Sequence, residues 1–225
     1  MRYVLPAVLF AVLALVVVIT PHVEPRRVRA RAALVDAQLR TGFGFTDGSR
    51  AAWAEARGSG WPPFHYGKHR ELDSELMGTV DGVPVRAAGY ECVVAGSRHR
   101  YGLACVVLPV PVAWAEVRGE PVFSAPRVPE HVPDGRRDGA LPEFDQAYQL
   151  YAEESEAALL VGSVATANVM LQVPEPFSWR CLDSEVLLWK RGGWSSADAL
   201  IASVRAVLEI FDPAISASWR GVGPT

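Results

Sequence analysis

From Val4 to Ile19 the chain runs for 16 residues without a charge, with Pro6 as its one imperfection, and Arg26, Arg27, Arg29, Arg31 and Arg40 follow closely. As a helix this run, stretched to 18 residues if Tyr3 and Thr20 act as interfacial ends, spans roughly 24 to 27 Å at about 1.5 Å per residue. That sits at the short limit for crossing a bilayer. A secretory signal is the rival reading, but it needs a small-residue cleavage step, and Ile19-Thr20-Pro21-His22-Val23 offers a poor one. The expectation is a transmembrane anchor over residues 1–22, with a secreted domain after signal cleavage as the alternative.

Lys and Arg that flank a span are retained on the cytoplasmic side. Arg2 stands alone ahead of the run and five arginines stand behind it, so the pattern predicts a single-pass cell-membrane protein with a cytoplasmic body. Residues 23–67 follow as a basic juxtamembrane helix, with Val28, Ala32, Val35 and Leu39 at helical spacing, and then a connector rich in Gly, Pro and Trp. The remaining chain suffices for one soluble domain with its own core, assigned to residues 68–215, and a tail over 216–225. A net charge of -3 and a pI near 6.0 leave no basic footprint for nucleic acid. The juxtamembrane arginines suit membrane lipid instead.

Within the soluble part, Asp81-Gly82 lies between Leu76 to Val80 and Val83 to Ala88, which is the chemistry of a two-residue type I′ hairpin. Tyr90 to Ala95 and Tyr101 to Pro109 read as a second hairpin whose turn is centred between Arg98 and His99, with Val112 to Val117 as a further strand. That register would set Cys92 opposite Cys105, where a bridge could form; free core thiols are preferred, and with Cys181 the odd count of 3 implies no disulfide framework. Ser124 to Pro142 reads as an exposed loop and Phe144 to Tyr151 as a strand. A helix over about 153 to 168 follows Glu153, Glu154 and Glu156, and Phe177 to Leu182 pairs with Val186 to Lys190 through a turn at Asp183-Ser184. Ser195 caps a last helix carrying Leu200, Ile201, Val204, Val207, Leu208 and Phe211 as one stripe, stopped at Asp212-Pro213. The order of elements gives an α+β class: an N-terminal transmembrane helix, then one soluble domain with a mainly antiparallel sheet and two packed helices.

Chemistry-bearing motifs are missing. There is no Walker-type loop, no dinucleotide fingerprint and no nucleophile elbow, and Ser163 falls inside the expected helix. His65, His69 and Glu71, with remote His99 and His131, resemble a metal set, but Trp61-Pro62-Pro63 and Gly67 deny the two histidines a shared helical face. Polar loop side chains explain them better. The three glutamates at 153, 154 and 156 fit a solvated helix start rather than an acid–base pair, and Arg98, His99 and Arg100 fit a solvated basic tip with anion or lipid-phosphate binding as the minor alternative. Trp179 and Trp189 are expected in the core, and Trp53 and Trp61 at the membrane interface. No catalytic, cofactor or metal residue is assigned.

Taken together, the anchor, Trp61-Pro62-Pro63-Phe64, Met77-Gly78-Thr79-Val80-Asp81-Gly82 leading to Tyr90, Val106-Val107-Leu108-Pro109, Phe144-Asp145-Gln146-Ala147-Tyr148 and Leu187-Leu188-Trp189 resemble a group of uncharacterised single-pass membrane proteins from actinobacteria. The resemblance extends from about Trp61 to Ile215 and implies the architecture, with no activity or catalytic residue to carry over. The functional expectation is a membrane-tethered binding or scaffold protein that recognises a protein partner at the membrane surface. Its alternative is an enzyme acting on a lipid or cell-envelope metabolite, with a site around His65, His69 and the Gly96 to Arg100 turn.

Overall fold

The computed structural model describes residues 44–45, 67–119, 136–137, 139–152 and 156–221. The expected anchor over 1–22, the juxtamembrane helix and nearly all of the connector lie outside the described residues, as do Trp53, Trp61, His65, His131, Glu153 and Glu154. Among the described residues no helix is long and apolar enough to cross a membrane.

The described residues form a seven-stranded antiparallel sheet with helices, as the α+β reading expects. Strand β1 (Gly44–Phe45) pairs β2 (Lys68–Val80), β2 pairs β3 (Val83–Val94), and β3 pairs the N-terminal half of β4 (Ser97–Arg118). Strand β5 (Arg136–Arg137) precedes helix α1 (Pro142–Ala147) and strand β6 (Gln149–Ala152), which pairs both β5 and the C-terminal end of β4. Helices α2 (Glu156–Val161) and α3 (Val164–Gln172) lead to β7 (Ser178–Arg191), and α4 (Ala197–Gly221) closes the order. Strand β7 runs along β4 from Tyr101↔Arg191 to Val117↔Trp179. The β4–β7 ribbon is therefore the spine, and β3 and β6 share its other edge.

The first hairpin forms as the sequence predicts: Val80 pairs Val83, and Asp81 and Gly82 take φ of 51° and 82°. The second turns earlier than expected, at Ala95 and Gly96 with φ of 50° and 81°, so Cys92 pairs His99 and Cys105 pairs Arg86. The cysteines do not face each other, and all three are free and buried. Tyr101 to Pro109 and Val112 to Val117 are one strand rather than two, because a bulge absorbs Pro109 and Pro111. Between Val107 and Val112 strand β4 takes five steps while β7 takes two, from Glu185 to Asp183. Prolines donate nothing to a ladder, and a bulge is where a strand tolerates them. The expected turn at Asp183-Ser184 is the matching irregularity in continuous β7, where Asp183 holds φ 55°; short polar residues reach that region at little cost.

Three further expectations are corrected. Phe144 to Tyr151 divides into α1 and β6: Pro142 opens a helix, Glu143 and Asp145 favour its amino end, and Tyr148 leaves it in extended conformation. The single helix over 153–168 becomes two, because Ser163 is the cap of α3, its hydroxyl accepting from Thr166 N at 3.2 Å. Helix α4 is capped by Ser196, which accepts from Ala199 N at 3.1 Å, while the Ser195 hydroxyl bonds Glu175. It runs through Pro213 to Gly221 instead of stopping at Asp212, so residues 216–221 continue the helix that the sequence reading assigned partly to a tail. A proline inside a helix removes one hydrogen bond and kinks it without having to end it.

The main core lies between one sheet face and the helices. Leu200, Val204, Val207 and Phe211 of α4 meet Val106, Trp179 and Leu188, and Phe211 sets its ring edge-on to Trp179 at 5.6 Å. Burial of each such side chain contributes about 1.5–3 kcal/mol. A second cluster fills the opposite face with Tyr90, Cys92, Tyr101, Leu103, Leu187 and Trp189, all from strands.

Candidate functional site

Two features depart from an ordinary core. The first arises from alternation: along β4 Ala115 and Val117 enter the helix-covered core, so Trp114, Glu116 and Arg118 take the other face. On β7 the same parity brings Arg180 opposite Glu116, and on β6 it brings Tyr151. Glu116 is 0% exposed, Arg118 6% and Arg180 4%. One carboxylate oxygen accepts from Arg118 Nε, and the other lies 3.6 Å from Arg180 Nε. Arg118 sits over the Tyr151 ring at 5.6 Å and Arg180 over Trp114 at 5.7 Å. Burial pulls the Arg180 pKa down, with Glu116 opposing and Arg118 adding to the fall. Two guanidiniums thus converge on one carboxylate in a buried cluster. Arg136 occupies the register position opposite Tyr151, in the same row.

The second feature is a groove between α3 and α4, about 490 Å³ in volume. Val169, Val173, Ile201 and Ala202 supply apolar lining, and Asp198 and Glu209 line it alongside Arg205. Arg205 is held by Asp81 on the first hairpin, at 2.9 and 3.0 Å; this pairing lowers the Asp81 pKa and raises that of Arg205. The groove wall behind α3 is fixed by Tyr148, whose hydroxyl donates to Met170 O at 3.1 Å and whose ring stacks on Phe144. Burial pushes the Tyr148 phenol up to about 12.

Of the residues singled out in the sequence, His65, His131, Glu153 and Glu154 lie outside the described residues, and the others fall on separate strands and helices. His69 lies exposed at a bulge with φ 49°, while His99 pairs with Cys92 two strands away. Among the described residues no group of His, Cys, Asp and Glu could hold a metal ion. Arg98 and Arg100 are strand residues that share Glu91 at 3.0 and 3.1 Å. Glu156 opens α2. Trp179 and Trp189 are buried as expected. Sequence reading missed Glu116, Arg118 and Arg180; the signal was the alternation of Glu116 and Arg118 with Ala115 and Val117, which a solvated strand face explains equally well.

The fold defines a class: a helix-covered antiparallel sheet built on a bent two-strand spine. Among solved structures the chain is similar to the crystal structure of the mycobacterial trehalose monomycolate transport factor A, with a TM-score of 0.54 and 13% identity, covering 83% of this chain and 92% of that one. At that identity the likeness shows a shared fold. No family model and no curated protein matches the sequence significantly.

Proposed function

We propose that this chain is a membrane-tethered, non-enzymatic binding protein that serves the movement of a lipid of the cell envelope, as the trehalose monomycolate transport factor of similar fold does for its own lipid. The observation that carries the reading is the extent of the likeness, 83% of this chain against 92% of the neighbour. The apolar run from Val4 to Ile19 supplies the tether, with the body on the cytoplasmic side. This agrees with the resemblance to actinobacterial single-pass proteins. The α3–α4 groove is where a protein partner docks: its apolar floor suits an amphipathic helix, and Asp198 and Glu209 suit a basic flank on that helix. The partner is thus a membrane protein with a basic cytoplasmic segment, as such segments are retained on that side.

Depletion of the protein followed by quantification of envelope glycolipids on either side of the membrane tests the reading. Accumulation of one lipid on the cytoplasmic side, reversed by the full chain and not by a chain carrying Ala202→Arg in the groove, is the expected result. An unchanged lipid distribution in depleted cells would overturn it.

A further inference from the structure

The register of β1 sets the direction from which the N-terminal segment reaches the sheet. Gly44 pairs Met77 and Phe45 pairs Leu76 in antiparallel sense, so the chain ahead of Gly44 is aimed along β2 toward Val80 and the Asp81-Gly82 turn. Asp81 lies four residues beyond Met77, about 13 Å along the strand. It holds Arg205 at 2.9 and 3.0 Å, and Arg205 lines the α3–α4 groove. The N-terminal segment therefore joins the fold beside the groove. On α4 the groove runs from Asp198 to Glu209, about 16 Å of helix. Ile201 and Ala202 are half-buried along it, and Glu209 is exposed at its end.

We propose that residues 26–40 of this chain occupy the α3–α4 groove, and leave it when their arginines bind an anionic leaflet. The inference rests on the groove being a docking site for a basic amphipathic helix, and it names a competitor for that site within the chain. Val28, Ala32, Val35 and Leu39 recur at i, i+4, i+7 and i+11, the anchor spacing of a helix laid in an apolar groove. As a helix, Val28 to Leu39 measures about 16 Å, the same length as Asp198 to Glu209. Five residue steps separate Leu39 from Gly44; extended, they reach about 17 Å, enough to bring Leu39 level with Asp81. Leu39 then takes the Glu209 end and Val28 the Asp198 end. Arg40 comes beside Glu209, and Arg26, Arg27 and Arg29 come beside Asp198. Arg205, between the two ends, is already answered by Asp81. Anionic lipid attracts the same arginines, so leaflet and groove compete for one segment, and the groove opens to its partner where the segment lies on lipid.

The test uses the purified full chain in neutral detergent, with no other protein present. A photocrosslinking residue stands at position 201 and, in a second preparation, at exposed position 205. Mass spectrometry of the digested monomer is expected to join each probe to a peptide from residues 26–40. Val35→Asp with Leu39→Asp abolishes that product, and Glu209→Arg shifts the ratio of covered to open groove about fivefold toward open. Phosphatidylglycerol added to the micelles lowers the yield, and phosphatidylcholine does not. The inference is overturned if neither probe yields the 26–40 product, or if both join another segment or a second copy of the chain. It is equally overturned if the product survives Val35→Asp with Leu39→Asp, or is indifferent to phosphatidylglycerol. Because the sample holds no partner, such a failure is distinct from failure of the proposed function, which the lipid distribution in depleted cells reads.

Discussion

Glu116 and Arg180 face one another across β4 and β7, both buried, at 3.6 Å between carboxylate oxygen and guanidinium nitrogen. The pair is part of a cluster in which one carboxylate answers two guanidiniums, so its members are not equivalent. Removing one partner of a buried ion pair costs about 3–5 kcal/mol, because the charge left behind stays desolvated. Glu116→Ala removes the carboxylate that both guanidiniums face and is predicted to lower stability by about that range in urea melts. Arg205→Ala, which breaks the solvent-exposed pair with Asp81, is predicted to leave the midpoint within experimental error.

Gly102 and Trp194 set a second test. A Cβ on Gly102 would lie 2.5 Å from the Trp194 ring and 3.0 Å from Gly193 Cα, so Gly102→Ala must displace the indole that donates to Ser203 Oγ. Overpacking of this kind costs about 1–3 kcal/mol. Gly82→Ala meets no atom within 4 Å and is opposed only by its φ of +82°, for about 1 kcal/mol. Thermal melts should therefore rank Gly102→Ala as the more damaging change.

Tyr148 predicts an alkaline limit. Its phenol is raised from 10.0 to about 12, so the folded state favours the protonated form. The associated stability is complete below pH 10 and is lost as pH rises toward 12. Tyrosinate absorbance followed together with circular dichroism should show this phenol ionising as the fold is lost, a coupled step that Tyr148→Phe removes. The same substitution leaves the Met170 carbonyl unpaired, at about 1–3 kcal/mol.

The cysteines should be silent in the native protein. Cys92, Cys105 and Cys181 are buried and free, and their register sets none opposite another. A thiol reagent is predicted to react with none of them before unfolding and with 3 after it; an oxidised pair in freshly isolated protein would contradict the register.

The legible parts of the fold are those whose local chemistry admits one answer. Asp81-Gly82 names its turn because both residues tolerate positive φ, whereas Ala95 carries no such mark and holds φ 50° only because β3 and β4 pair around it. Pro109 and Pro111 read as a strand end, yet β7 lies along β4 on both sides of them, so long-range pairing overrides the local signal. The candidate site was less legible still. A charged residue inside a strand shows its parity but not which face is buried, and Glu116 and Arg180 are 64 residues apart, brought together by the β4–β7 register alone. The groove is set by the crossing of α3 and α4, which no spacing in either helix encodes.

Photocrosslinking from position 201 within the groove tests the central claim most directly, with the full chain kept in its native membrane and a matched probe at exposed Asp183 on β7 as control. The account predicts one membrane protein with a basic cytoplasmic segment crosslinked from 201, absent from 183, and lost when Ala202→Arg fills the groove. Identical products from both positions, or none from 201, would contradict it.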